Sequence, residues 1–229
     1  MDPFVYDQPE KIVGTGRSIL GFRRFRRKTG IMAIKSQSPP KETFETLIAT
    51  ARTMPGVYGP ITGMLRQVSE APERHWPHPV YTVGLEALAT EGLGLSRAQL
   101  IGWRFLVKSE AERYHAIEVH REAEGSGHRF AELDKGPFIE GMSAVLMDPE
   151  SGRRLGDIDR VLTVLRINAL RIFALWLQAA DPAHDCIAVM APAPVYLSPW
   201  PATYTVEQFQ STLQPEARRE LDDEDDLDA

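Results

Sequence analysis

The sequence predicts an α+β protein in which N-terminal helices pack on a mostly antiparallel sheet formed by residues after about 100. Three patterns lead there. Phe44, Leu47, Ile48 and Ala51 recur at the spacing of one helical face. Trp103, Phe105 and Val107, then His115, Ile117 and Val119, recur every second residue, as on a strand. The densest apolar region, 158–191, is rich in Val, Ile and Leu, the composition of buried strands.

Residues 1–40 read as an extension with scattered Pro and Gly, closing in Ser36-Gln37-Ser38-Pro39-Pro40, a linker and helix-start signal. A helix over 41–53 follows, ended by Met54-Pro55-Gly56. A weaker one spans 57–68, with Pro60 near its start, where a missing N–H is tolerated. The three prolines of 71–79 predict a loop, and 81–93 is helical around Leu85–Ala89, closed by Gly92 and Gly94.

Two strands joined through 109–113 are the simplest account of the next region. A helix capped by Ser109 with Glu112 three residues on is the competitor. His128–Leu133 reads as a further strand, 138–147 is apolar and ambiguous, and 148–152 is a turn. Strands over 161–167 and 170–178 compete with one continuous helix over 157–178. Cys186–Met190 reads as a buried strand, and the four prolines of 191–201 keep that segment out of any central strand. The organisation expected is a basic arm and linker at 1–40, a single α+β domain at 41–200, and an extension with an acidic tail at 201–229.

Composition narrows the function classes. Of 229 residues, 43% are hydrophobic and 25% charged, which excludes a wholly disordered chain. A net charge of −6 argues against a surface that coats nucleic acid. One cysteine forms no intramolecular disulfide. No run of about 18 apolar residues exists to cross a bilayer. Asp2, Asp7 and Glu10 fit neither a secretory signal nor a transit peptide, so a cytoplasmic location is expected.

The charge is polarised. Residues 17–28 (RSILGFRRFRRK) carry six positive charges and no negative one, while 216–229 carry eight acidic residues against two arginines. The acidic tail has little to bury and is expected to be mobile or solvent-bathed unless a partner holds it. Arg17, Arg23, Arg24, Arg26, Arg27 and Lys28 with Phe22 and Phe25 form the candidate partner-binding segment. Its arginines suit an acidic groove on a protein partner or a neighbouring copy. They also suit phosphates, with the rings stacking on bases, or an anionic membrane surface.

No catalytic, metal or cofactor set is assigned. The six histidines lack zinc-type spacing. Glu118, His120 and Glu122 share one strand face, where an acid–base row and an outward-facing polar row predict the same letters; the polar row is the plainer reading. Asp157 and Asp159 form a D-x-D pair without the rest of a nucleotidyl-transfer site. Cys186 follows His184-Asp185 but sits in an apolar stretch. Neither a P-loop, a G-x-S-x-G elbow nor a G-x-G-x-x-G fingerprint occurs. The function expected is therefore a non-enzymatic interaction or assembly protein acting through the arm. A hydrolase or transferase with a His/carboxylate site and a nucleic-acid binder are the alternatives.

Overall fold

A computed structural model of the chain describes residues 26–27, 30–31, 34–53, 59–109, 111–122, 127–147, 150–151, 155 and 158–227. In chain order its elements are β1 (Arg26–Arg27), β2 (Gly30–Ile31), β3 (Ile34–Lys35), α1 (Lys41–Thr53), α2 (Gly59–Glu70), β4 (His78–Thr82), α3 (Leu85–Ala89), β5 (Gln99–Lys108), β6 (Tyr114–Arg121), β7 (His128–Asp134), α4 (Pro137–Met147), β8 (Arg160–Ile167), β9 (Ile172–Ala179), β10 (Cys186–Val189), β11 (Tyr204–Thr205) and α5 (Val206–Leu227).

Nine of these strands form one sheet in the order β11-β10-β9-β8-β4-β5-β6-β7, with β3 also on β8. The pairs are antiparallel except β3–β8 and β4–β8, which are parallel. The α+β class and the mostly antiparallel sheet agree with the reading of the sequence, and most strands follow residue 100.

Side-chain alternation sends each strand's residues to two different cores. On one face Leu106, Ala116, Leu162, Val164, Phe173 and Leu175 pack under Ile139, Met142 and Leu146 of α4. On the other, Trp103, Phe105, Val107, Ile117 and Val119 meet Leu47 of α1 and Leu65 and Val68 of α2. Further along that face, Leu165, Ile167, Ala174 and Ile187 meet Leu88 of α3 and Phe209 and Leu213 of α5.

The competing helices do not form. Ser109 N–H donates to Arg113 O (2.8 Å) and Glu112 takes φ 61°, so the 109–113 stretch reverses the chain between β5 and β6. β8 and β9 pair in full register from Arg160↔Ala179 to Ile167↔Ile172, and the chain turns at Asn168. Their apolar residues look continuous because both faces are buried, which hides the period of two.

The loop expected over 71–79 is shorter than its prolines suggest. Pro72–His75 make one 3-10 turn, and His78 and Pro79 open β4. Proline fits there because β8 begins to pair with β4 only at Val80, so its missing N–H falls at the strand's start.

The acidic run is also ordered differently from expectation. It forms the last turns of α5, a helix started by a capping box in which Thr205 Oγ1 accepts from Gln208 N–H and Thr205 N–H donates to Gln208 Oε1. Phe209, Leu213 and Ala217, four apart, anchor its first turns, and the helix carries the acids onward, with Asp222 and Asp223 exposed. No helix among the described residues is long and apolar enough to cross a membrane.

Candidate functional site

Register aligns ionisable residues in one row across four strands on the α4 face. His78 lies opposite Arg104, Arg104 opposite Glu118, and Glu118 opposite Glu132. Arg166 reaches the row from β8, and His120 from one pleat further along β6. At Gly102, opposite His120, a Cβ would clash with the Val119 carbonyl oxygen, so only glycine permits this close approach of β5 to β6.

Glu118 is fully buried and Arg104 is 1% exposed. Arg104 Nε donates to Glu118 Oε2 (2.6 Å). The other oxygen, Oε1, accepts from Arg166 Nη1 (2.7 Å) and from His120 Nε2 (2.6 Å). Because an ionised carboxylate only accepts, that contact requires the proton on His120 Nε2. Glu132 Oε1 accepts from Arg104 Nη2 (3.3 Å) and Arg166 Nη1 (3.2 Å) at the partly exposed rim. The Arg104 guanidinium also lies 5.0 Å from the centroid of the Phe173 ring, which stacks on Phe138.

Burial would push the Glu118 carboxyl up, but Arg104, Arg166 and the His120 hydrogen bond together hold it below its usual value. It is therefore an ionised carboxylate with both oxygens engaged, the opposite of a poised general base. Next to it, burial pushes His78 down to about 4, so its imidazole is neutral and its Nδ1–H donates to Trp76 O.

The polar row expected on β6 thus points inward, not to solvent, and Glu122 stands beyond the strand's end, exposed. Glu118 and His120 converge, as the acid–base alternative required, but on two arginines. Arg104, Arg166 and Glu132 went unread. The signal for Arg104 was Leu106, two residues on and on the same face: a strand apolar on both sides leaves a buried arginine in need of a carboxylate.

The remaining candidates are spread out. Asp159 pairs with Lys35 (2.6 Å), tying β8 to β3, and Asp157 lies outside the described residues. Asp185 accepts from Trp176 Nε1–H (2.9 Å) and Ala179 N–H (2.7 Å), and burial pushes the Cys186 thiol up. No group of three His, Cys, Asp or Glu side chains among the described residues could hold a metal ion. Arg17, Phe22, Arg23, Arg24, Phe25 and Lys28 lie outside the described residues; Arg26 and Arg27 form β1, paired with Gly30–Ile31.

A second feature lies at the far end of β4. A groove of about 790 Å³ runs between α3 and the late turns of α5, with Val83, Leu85, Leu93 and Leu221 among its apolar lining and Glu86 and Arg97 on its rim. No protein-family model matches the chain, and comparison with curated proteins and with solved structures finds no match.

Proposed function

We propose that the chain is a non-enzymatic interaction or assembly protein whose basic segment, residues 17–28, contacts an acidic partner protein or a neighbouring subunit. The observation that carries this reading is the saturation of Glu118. The His/carboxylate convergence on the α4 face is neutralised by two arginines, so it braces the sheet and leaves no free base for hydrolysis or group transfer. The six cations of residues 17–28, with no acid among them in the sequence, are the chemistry a partner would read.

The test uses the full-length chain as bait beside a full-length variant with Arg23, Arg24, Arg26 and Arg27 replaced by Gln, with nuclease-treated extract. Proteins retained by the native chain should be lost from the variant and should elute as salt shortens the screening length below about 10 Å. Equal retention by both baits would remove the arm from function. Capture that disappears on nuclease treatment would move the reading to nucleic acid, whose binding weakens steeply with salt.

A further inference from the structure

We propose that the groove between α3 and the end of α5 receives residues 17–28 of a second copy of this chain, so that copies associate head to tail. This rests on the arm being the contact element, and it names the partner.

Three observations meet in this match. Leu93 and Leu221, both partly exposed, give the groove an apolar strip beside the buried Val83 and Leu85, and the arm offers two large apolar groups, Phe22 and Phe25. Glu86 of α3 is an exposed carboxylate in that lining, and the exposed Asp222 and Asp223 follow Leu221 directly along α5. The net charge of the arm, +6, is equal and opposite to the −6 of residues 216–229. Arg97 is the one cation among the described lining residues, and Arg218 of α5 donates to Ala89 O of α3. An aromatic pair within a basic segment, set in an apolar groove with an acidic border, buries its rings while the charges fix its register.

The fold places the groove away from β3, the strand that follows the arm. β3, which follows the arm, pairs with Arg160 and Val161 at the start of β8. The groove lies where Thr82, at the end of β4, pairs with Arg166, about 20 Å further along the same strand. An arm seated in the groove of another copy is a contact between two different surfaces, a heterologous one, which generates rings or open chains between copies.

Sedimentation velocity on the full-length chain tests this, with two charge-reversed variants. Asp222→Arg/Asp223→Arg cuts the net charge of residues 216–229 from −6 to −2, and Arg23→Glu/Arg24→Glu cuts that of the arm from +6 to +2. The native chain should exceed monomer mass at low salt and revert to monomer as salt is raised. Each variant alone should associate roughly tenfold more weakly, as expected for a few reversed surface pairs. Mixed, the two variants should recover association, because the native arm of the first then meets the native groove of the second; docking within one chain is not rescued by mixing. Leu221→Asn, which leaves charge unchanged, should also weaken association. Self-association untouched by either reversal, or an unrescued mixture, overturns the proposal. So does a native chain that stays monomeric at low salt; if that monomer still captures other proteins through its arm, the proposed function stands and only the self-contact falls.

Discussion

Arg104 sits between Trp103 and Phe105 in the middle of β5 with 1% of its surface exposed, so its charge is supported wholly by neighbours. Removing one partner of a buried charge set costs more than the set contributes, because the remaining charges stay desolvated. Glu118→Gln leaves Arg104 and Arg166 facing each other across a neutral amide. It is expected to lower stability by about 3–5 kcal/mol in urea unfolding, with unchanged secondary structure in the folded baseline. His78 gives the pH dependence. Its imidazole is held near 4 by burial against an ordinary 6.5, so the unfolded chain binds the proton first. The stability this contributes is complete above about pH 6.5 and is lost as pH falls towards 4, about 3 kcal/mol in all. Glu118, held below the ordinary carboxyl value of 4.5, loses its contribution in the more acid range beneath that. His78→Gln should therefore flatten the slope of unfolding free energy between about pH 6.5 and 4 and leave the steeper acid loss in place. His75, lowered for the same reason, retains a smaller slope in the variant. An identical pH profile in native and variant would show that His78 is not the group titrating.

Among the elements, those legible in the sequence bury one side in a simple period. α1 follows Phe44, Leu47 and Ala51, and β5 and β6 follow their alternating residues into the core beneath α1 and α2. β8 and β9 were legible as apolar but ambiguous in type, since residues on both faces are buried and neither period stands out. α4 was ambiguous for the related reason that an eleven-residue apolar run fits a buried helix as well as a strand. β4 was hidden by Pro79, which is tolerated because β4 pairs with β8 only from Val80 onward. The helical state of the acidic run was hidden because it belongs to turns upstream: the box at Thr205 and Gln208 starts α5, and Phe209 and Leu213 hold it. Once that helix is nucleated and packed, extending it by residues with little to bury costs far less than starting one.

At the scale of the molecule one sheet is covered on both faces, with α4 on one and two helix pairs on the other. The α1–α2 and α3–α5 cores share the sheet but not their side-chain contacts. Leu47→Ala and Phe209→Ala, both fully buried, are each expected to cost about 2–5 kcal/mol. Combined, their costs should add to within about 0.5 kcal/mol in denaturant unfolding. A clear excess over the sum would mean that the two clusters support each other through the strands.

The sequence by itself determined the class, the positions of most elements and the charge polarity between the arm and the chain's acidic end. These depend on spacing and composition along the chain, which sequence records directly. Only the tertiary structure decided that Glu118 turns inward onto Arg104 and Arg166, and that Leu221, just before the acidic end of α5, lines a groove distant from the start of β8. Both follow from cross-strand register and helix packing, which join residues tens of positions apart and leave no periodic trace in the sequence.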